Sequence, residues 1–171
     1  MPKIAYILLC HKDPEGIIAQ ANRLTAAGDV ISIHFDANAP QADFDRIRRE
    51  LSANPSVTFA ARRIRCGWGE WSLVEATLQA LRAAMATFED ATHFYMLSGD
   101  CMCIKSAEYA RDFLLREDVD YIESFDFFNS DWIKTGLREE RLIYRHFLNE
   151  RRHKRLFYAS LNLQKRLKLS L

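Results

Sequence analysis

Three short stretches of the sequence place polar or aromatic side chains where a ligand could bind. Cys10 ends the apolar run at 4–10, His11 follows it, and Asp36 follows a second apolar run at 30–35. In a doubly wound sheet, ligands bind at the carboxyl ends of parallel strands, so these side chains are candidates for one site. Asp36 could contact a ribose or a base there, or it could be a turn aspartate without a ligand.

The third stretch sets two tryptophans around a glycine, immediately before an amphipathic helix. Trp68 and Trp71 lie on either side of Gly69, and Ser72 is predicted to be the N-cap because its hydroxyl can accept a first-turn N–H. A glycine between two indoles indicates a close backbone approach, as on the floor of a binding site. The alternative interpretation is that both indoles only cover the core. Apolar residues at helical spacing predict a buried helix face formed by Val74, Leu78, Leu81 and Met85, with alanines at 76, 80 and 84 that allow close packing.

Strand-length apolar runs alternate with helical patterns along most of the chain. This alternation predicts an α/β fold with a mostly parallel sheet and flanking helices, followed by a helical C-terminal segment. The run at 92–97 is predicted to be a buried strand. The other predicted strands cover 4–10, 30–35, 57–60 and 121–123. The predicted helices begin at 14 and 41 and directly after the N-caps Ser72 and Ser106, with two more at 138–148 and 156–167.

The composition is that of one globular domain. The chain has 171 residues and a net charge of +1, enough for one core and too few for two ordinary domains. We expect no signal peptide, and no apolar run reaches the ~18 residues of a membrane span. The cysteines show no zinc-like spacing, so we expect reduced thiols in a cytoplasmic protein, with Cys10 and Cys103 in the core. A soft metal bound by Cys101 and Cys103 is the alternative.

Two groups of basic residues could bind anions. Arg62, Arg63 and Arg65 could meet a phosphate, although a solvated edge strand explains them as well. Basic residues also gather between 151 and 168, with no acid after Glu150. That segment could make a peripheral contact with an anionic membrane, or it could be a solvated helix face. The near-zero net charge argues against a nucleic-acid partner.

Five stretches, taken together and in order, resemble one enzyme family. The sequence is similar to bacterial members of the core-2/I-branching β-1,6-N-acetylglucosaminyltransferase and peptide O-xylosyltransferase family. The resemblance implies one glycosyltransferase domain over 1–171 with a GT-A-like, Rossmann-like fold. A nucleotide-sugar-binding α/β part would cover 1–128, and the helical start of an acceptor-binding part 129–171. The matching stretches are AYILLCHKDPE, VISIHFDAN, WGEWSLVEATLQALRAA, FYMLSGDCMCIKS and DYIESFDF.

The resemblance also implies an activity and the residues that serve it. The reaction would be inverting, metal-independent transfer of N-acetylglucosamine or xylose from a UDP-sugar to a hydroxyl of a glycan or protein acceptor. No cofactor is implied besides the UDP-sugar donor, and eukaryotic relatives are Golgi membrane proteins. By position in the matching stretches, the donor-binding residues would be Cys10, His11, Asp36 and Trp68. The acceptor-binding residues would be Glu123, Arg138 and Arg141.

The sequence departs from the family pattern after the run at 92–97. Many relatives read LSGQDxPLK, whereas this chain places Asp100 one position early, so no role carries over to it. The family's catalytic glutamate and diphosphate-binding basic residues lie beyond Leu171. We therefore expect a truncated, catalytically incomplete fragment that still binds nucleotide or glycan. Apolar residues after 122 would then lack a partner surface, which predicts self-association.

The residues at the strand ends also indicate whether the chain could bind a metal ion. A manganese-dependent GT-A enzyme needs Asp-x-Asp at the end of a central strand, where two carboxylates hold the ion. The corresponding strand end here, at 98–100, offers one carboxylate. Asp-x-Asp does occur at 43–45 and 118–120, which we interpret as acids of a helix start and a turn. We therefore expect no metal site.

Overall fold

The computed structural model describes residues 1–116, 119–122, 124, 126–129 and 137–170. The chain divides into two compact units, residues 1–119 and 120–171. The first unit contains, in order, β1 (Ile4–Cys10), α1 (Pro14–Thr25), β2 (Val30–Phe35), α2 (Gln41–Glu50), β3 (Val57–Phe59), α3 (Trp71–Thr87), β4 (His93–Ser98) and α4 (Ala107–Arg116). The second unit contains α5 (Glu140–Ile143) and α6 (Lys154–Leu167).

The strands of the first unit form one sheet in the order β3-β2-β1-β4, and all neighbours are parallel. β1 and β2 are its central strands, and their continuous apolar runs suit strands that are covered on both faces. Cys10 pairs with Phe35 at the last position of their register, so the carboxyl ends of β1 and β2 lie side by side. The predicted α/β architecture is confirmed. Of the fifth predicted strand, Tyr121 and Ile122 lie in no strand, and Glu123 is outside the described residues.

Helices cover both faces of the central strands. On one face, Leu8 and Ile33 belong to a buried cluster with Ile17 of α1 and Ile47 of α2. On the other face, the alternate side chains of β1 pack with α3. The two core layers therefore hold the carboxyl ends of β1 and β2 in place at the rim of the sheet.

The predicted buried face of α3 is confirmed for its alanines and wrong for two of its larger residues. Ala76, Ala80 and Ala84 are buried, in agreement with the close packing expected of them. Val74 and Met85 are exposed. The alanine row allows the helix backbone to approach the sheet so closely that the Ser32 hydroxyl of β2 donates a hydrogen bond to the Ala80 carbonyl at 2.7 Å. Larger side chains in that row would hold the helix away from the sheet.

The prediction that the run at 92–97 is a buried strand is also wrong as to burial. β4 is an edge strand, paired on one side with β1. Phe94, Tyr95 and Met96 are 43%, 59% and 62% exposed. An apolar run therefore marks the strand correctly here, but the order of the strands in the sheet decides how much of it is covered.

The second unit is helical, as predicted, although its first helix is short. α5 spans four residues, where the sequence predicted a helix over 138–148. α6 includes the whole range of the predicted helix at 156–167, and it buries Phe157 and Leu161. Phe157 stacks on His146 with ring centroids 5.3 Å apart, and the Gln164 side chain donates to the Arg145 carbonyl at 3.0 Å. Across the described residues, no helix combines the length and apolarity needed to cross a bilayer.

Candidate functional site

The carboxyl ends of β1 and β2 are joined through the backbone. The Asp36 N–H donates to the Cys10 carbonyl at 2.9 Å, one residue beyond the last strand pair. The Cys10 thiol points into the protein, where it donates to the His34 carbonyl at 3.6 Å. Burial raises the pKa of Cys10 to about 12, so the thiol stays neutral. His11 is exposed, so the rim presents its imidazole while the Cys10 thiol lies inside.

The Asp36 carboxylate connects this rim to the tryptophan loop, residues 66–71. Its Oδ1 accepts a hydrogen bond from the Asn38 N–H at 2.7 Å and a second from the Cys66 N–H at 3.2 Å. The Asn38 side-chain amide donates to the Cys66 carbonyl at 3.1 Å, which closes the link. Asp36 is therefore more than a turn aspartate, because it holds the start of the tryptophan loop beside the ends of β1 and β2.

Both tryptophans of this loop face outward. Trp68 is 73% exposed and Trp71 is 68% exposed, so the interpretation that they cover the core is wrong. Gly69 lies between them with φ of 72°, a left-handed conformation that a glycine adopts without strain. The Ser72 hydroxyl accepts from the Gly67 N–H at 2.9 Å. It is not the predicted N-cap, since α3 begins at Trp71, and it closes the loop instead.

Arg63 supports the backbone that follows β2, and no local sequence pattern indicates this role. Its guanidinium donates to the carbonyls of Phe35, Asp36 and Ala39 at 3.1, 2.6 and 2.7 Å. It also lies over the Phe44 ring, 4.9 Å from the centroid. Because the Arg63 guanidinium is occupied by these contacts within the protein, both earlier interpretations, a phosphate contact and a solvated edge strand, are wrong for this residue.

His34 is a second supporting residue that the sequence analysis missed. It is buried on β2, and its Nε2 accepts a hydrogen bond from the Ile64 N–H at 2.8 Å. An imidazole that accepts at Nε2 must be neutral, with its proton on Nδ1. Burial lowers the pKa of His34 below its ordinary value of 6.5, and the nearby Asp36 carboxylate opposes part of that effect.

We expect this buried histidine to make the chain less stable in mild acid. In the unfolded state His34 takes up a proton near pH 6.5, whereas in the folded state burial disfavours the protonated form. The contribution of His34 to the free energy of unfolding is therefore fully present above that pH and decreases as the pH falls. The slope can reach about 1.4 kcal/mol per pH unit. Urea unfolding at several pH values between neutral and mildly acidic measures it. His34→Gln retains an acceptor and should flatten the profile, whereas His11→Gln should leave it unchanged. Parallel profiles for all three proteins would contradict the assignment.

The end of β4 approaches the end of β1 closely at Gly99. Its N–H donates to the Leu9 carbonyl at 2.9 Å. A Cβ at this position would lie 2.9 Å from the Cys10 Cβ, so only glycine fits. The next residue, Asp100, pairs with Lys12 across the rim at 3.2 Å. The carboxyl ends of β1, β2 and β4 thus form one surface with the tryptophan loop, which we call the strand-end surface.

A family comparison identifies the kind of protein that carries this surface. The model of the Core-2/I-branching enzyme family matches residues 4–169, almost the whole chain. The chain belongs to the Core-2/I-branching enzyme family. It is similar to a human β-1,3-galactosyl-O-glycosyl-glycoprotein β-1,6-N-acetylglucosaminyltransferase 3, with 23% identity over 103 residues. The aligned part is 60% of this chain and 24% of the human protein, so the chain spans about a quarter of that relative's length.

Membership of the Core-2/I-branching family confirms the resemblance that the five sequence stretches carried. The four-stranded parallel sheet with helices on both faces agrees with the predicted GT-A-like fold. Three of the four predicted donor-binding residues lie at or next to the carboxyl end of a strand in this surface, namely Cys10, His11 and Asp36. The fourth, Trp68, lies in the loop that Asp36 holds there.

The predicted acceptor residues of this family member lie in or near the second unit. Arg138 and Arg141 are exposed there. The Arg138 N–H donates to the Glu140 carboxylate at 3.2 Å, and the Arg141 N–H donates to the Arg138 carbonyl at 3.1 Å. The two arginines therefore lie in one backbone turn, with Arg138 before α5 and Arg141 in it. Glu123, the third predicted acceptor residue, is outside the described residues.

The acids considered for a metal are spread along the chain: Asp43, Asp45 and Asp100 lie in the first unit, Asp120 begins the second, and Asp118 is outside the described residues. Asp45 accepts from the Gln41 side chain at 2.8 Å within α2. Asp100 is paired with Lys12. Within the described ranges, no three histidine, cysteine or acidic side chains come together in a way that could hold a metal ion.

We expect the thiols of this family member to react in a fixed order. Hydrogen bonds from the Ser98 hydroxyl and N–H lower the pKa of the exposed Cys101 thiol. Burial raises the pKa of Cys66 to about 11, with the Asp36 charge adding to the effect, while Cys10 is buried. Because the thiolate is the reactive form, iodoacetamide should modify Cys101 at least about tenfold faster than Cys66 or Cys10. Peptide mass spectrometry over a time course measures the order. Equal rates in the folded chain would contradict it.

Proposed function

We propose that this chain is the donor-binding part of a glycosyltransferase. The donor is a UDP-sugar carrying N-acetylglucosamine or xylose, and the acceptor is a hydroxyl of a glycan or glycoprotein. The observation that carries the proposal is the Asp36 carboxylate, which holds the loop of Trp68 beside the ends of β1 and β2 in a Core-2/I-branching family member. The human relative, an N-acetylglucosaminyltransferase, supports the reaction class.

The strand-end surface has suitable chemistry for a nucleoside diphosphate. Oδ1 of Asp36 is occupied by two backbone N–H groups, and Oδ2 is the oxygen that would accept from a ribose hydroxyl. The exposed indole of Trp68 offers a face for stacking, and His11 a polar edge beside it. Cys10 contributes its strand-end backbone, since its thiol is buried.

We further propose that donor binding requires no metal. A divalent ion between protein and diphosphate needs at least one carboxylate that is available to coordinate it. The carboxylate at the end of β4, Asp100, forms an ion pair with Lys12, which reduces its charge toward a cation. Cationic side chains would then have to stabilise the departing diphosphate during an inverting transfer. Lys12 and Arg65 are cations of the first unit in or next to this surface.

A second candidate function is binding without turnover. A general base in inverting transfer is a carboxylate whose pKa is raised toward neutrality. Among the described residues, every carboxyl group with a resolved shift has its pKa lowered: Glu15, Asp90, Asp126 and Glu140. This observation favours a chain that binds donor or glycan and does not by itself complete the reaction.

Calorimetry and a turnover assay separate the two candidates. The 171-residue chain is titrated in EDTA with UDP, UDP-N-acetylglucosamine and UDP-xylose, and with CDP as the matched control. The donor-binding proposal expects uridine nucleotides to bind and CDP to bind more weakly. It is contradicted if no uridine nucleotide binds, or if binding appears only after manganese is added. UDP release with a panel of glycan acceptors then supports the enzyme, and binding without release supports the fragment.

The second unit carries a surface that fits an anionic membrane, and we propose a peripheral contact there. Leu156, Leu163 and Leu167 are exposed and lie on one face of α6, with Arg155 and Arg166 along one side of that face. Exposed leucines beside basic residues are typical of helices that lie in a membrane interface. Vesicle sedimentation tests the contact. Binding to phosphatidylserine vesicles should be weakened by Leu163→Asp and absent with phosphatidylcholine alone, and equal sedimentation with both lipids would contradict it.

A further inference from the structure

The tryptophan loop lies in an irregular segment between β3 and α3. β3 ends at Phe59 and α3 begins at Trp71, so residues 60–70 form what we call the β3–α3 connection. The Ala60 N–H donates to the Ile33 carbonyl at 2.9 Å and continues the pairing of β2 with β3 by one residue. Beyond Ala60, other contacts must hold the connection beside the end of β2.

Two side chains at the end of β2 provide such contacts. The Ile64 N–H donates to Nε2 of His34 at 2.8 Å, and the Cys66 N–H donates to Oδ1 of Asp36 at 3.2 Å. Between these two bonds, the Ala37 N–H donates to the Ile64 carbonyl at 3.0 Å. Both backbone polar groups of Ile64 are therefore bonded to the end of β2 and the residues after it, directly before the tryptophan loop.

His34 is enclosed by the first unit. Successive side chains of a strand point to opposite faces, so His34 shares a face with Ser32, whose hydroxyl bonds to α3. The imidazole is 1% exposed, and its neighbour in the register of β1 is Leu9. The thiols of Cys10 in β1 and Cys66 in the connection are neutral, because burial raises their pKa values. A ligand at the strand-end surface therefore cannot contact His34 directly.

The charged groups around His34 act on it in opposite directions. Burial has the largest effect on the pKa of His34 and lowers it, the Asp36 carboxylate raises it, and the Arg63 guanidinium lowers it. The charged residues of α3 are Glu75, which is paired with an arginine of the connection, and Arg82. β1 and β3 carry no formally charged side chain. The imidazole is therefore neutral at neutral pH and takes up a proton only in acid.

The bond from Ile64 exists only while this imidazole is neutral. A neutral ring has one nitrogen that accepts and one that donates, whereas both nitrogens of a protonated ring are donors. Protonation would therefore set the Nε2–H against the Ile64 N–H, and the hydrogen bond would be lost. A buried N–H without an acceptor is costly, so the connection would move away from His34.

We propose that His34 is a positioning residue of the donor site, whose neutral imidazole holds the tryptophan loop at the strand-end surface and whose protonation releases it. The loop carries Trp68, so its release should weaken donor binding. The effect on binding rests on the proposed function. The effect on the loop does not, because it concerns contacts within the chain alone.

NMR spectroscopy of the ligand-free chain tests the link between His34 and the loop. At neutral pH the proton of the imidazole should lie on Nδ1. As the pH is lowered from about 7.5 to about 5, the amide signals of Ile64 and Cys66 and the indole signal of Trp68 should shift together with the imidazole signals. The amide signals of α1 should not follow them.

Three results of this titration would overturn the proposal. One is a neutral imidazole with its proton on Nε2, and another is a ring that takes up no proton in this range. The third is a titrating ring that the Ile64 and Trp68 signals do not follow, or that the α1 signals follow equally, because the whole first unit would then respond.

Calorimetry with UDP-N-acetylglucosamine tests the effect on binding. This ligand lacks the terminal phosphate of UDP, which itself titrates in mild acid. His34→Gln retains an acceptor and takes up no proton, so it should bind like wild type at neutral pH. In acid, the wild-type dissociation constant should rise about 3- to 10-fold relative to that of His34→Gln. His34→Leu removes the acceptor and should bind about 3- to 10-fold more weakly than His34→Gln at every pH.

His93→Gln is the matched control for these variants. His93 begins β4, at the opposite end of the sheet from the strand-end surface, and this variant should follow the wild-type pH profile. Equal pH profiles of wild type and His34→Gln would overturn the positioning role and leave the donor site intact, and they decide the matter even if His34→Leu fails to fold. If the wild type binds no UDP-N-acetylglucosamine at neutral pH, the proposed function fails, and the titration of the ligand-free chain still decides whether His34 holds the loop.

Discussion

Asp29→Ala should lower the free energy of unfolding of the chain by about 3–5 kcal/mol, the usual effect of breaking a buried ion pair from one side. Asp29 is fully buried just before β2. Its Oδ1 accepts from the Ile4 N–H at 3.0 Å and lies 3.2 Å from the Arg111 guanidinium of α4. The carboxylate therefore joins three segments, β1, the turn before β2, and α4. Its removal leaves the Ile4 N–H without its acceptor and a largely buried guanidinium without its counter-charge, although that guanidinium still donates to the Ala27 carbonyl.

Asp90→Ala is the matched control for this prediction. Asp90 also pairs with a basic residue, Lys3, at 2.7 Å, but its side chain is exposed. Exposed pairs contribute about 0–1 kcal/mol, so its loss should be small. Urea denaturation of the two variants and the wild type, followed by circular dichroism, measures the difference. If both variants unfold within about 1 kcal/mol of wild type, Asp29 does not hold these segments together.

The second large effect is expected at Arg63, which should connect stability to donor binding. Arg63→Ala leaves the carbonyls of Phe35, Asp36 and Ala39 without their donor. It also removes a guanidinium from the face of Phe44. We expect a loss of about 2–4 kcal/mol in unfolding free energy, since several half-buried acceptors become unsatisfied. UDP binding should weaken with it, because Asp36 loses the support of its backbone.

The adjacent Arg62 supplies the control. Its guanidinium forms an ion pair with Glu75, and its side chain is well exposed. Arg62→Ala should therefore change stability by less than about 1 kcal/mol and leave UDP binding unchanged. Arg63→Lys should not restore the wild-type values, because an ammonium cannot direct a planar fork at several carbonyls. Equal behaviour of the Arg62 and Arg63 alanine variants would rule out the supporting role.

The central strands could be predicted to the residue, because their apolar runs are continuous and end at polar groups. β1 and β2 have the predicted bounds, and Asp36 follows β2 as expected. β4 was located but its exposure was not foreseen. Local sequence reports apolarity, whereas burial depends on which strands become neighbours. The close packing of the α3 alanines was predicted correctly, but the burial of Val74 and Met85 was not, because the contact with the sheet is made by Ala80 and its small neighbours.

The positions of the site residues could be predicted from the sequence, but the hydrogen bonds that join them could not. Strand ends and an aspartate can be read from local pattern. The bond between Asp36 and the Cys66 N–H joins residues 30 apart, and His34 meets the Ile64 N–H over the same separation. No local spacing indicates such contacts. Arg63 was ambiguous for the same reason, because a guanidinium that binds phosphate and one that binds carbonyls have the same sequence context.

The measurement that tests the account most directly is calorimetric binding of UDP to the wild-type chain and to Asp36→Asn in EDTA. The asparagine retains an oxygen for the Asn38 and Cys66 N–H groups, so the loop should keep its place. Loss of the charged acceptor should weaken UDP binding by about 1–3 kcal/mol, or roughly 5- to 150-fold. Asp112→Asn, on an exposed acid of α4, should bind like wild type. A folded Asp36→Asn chain that binds UDP as tightly as wild type would contradict the proposed site, as would a wild-type chain that does not bind UDP.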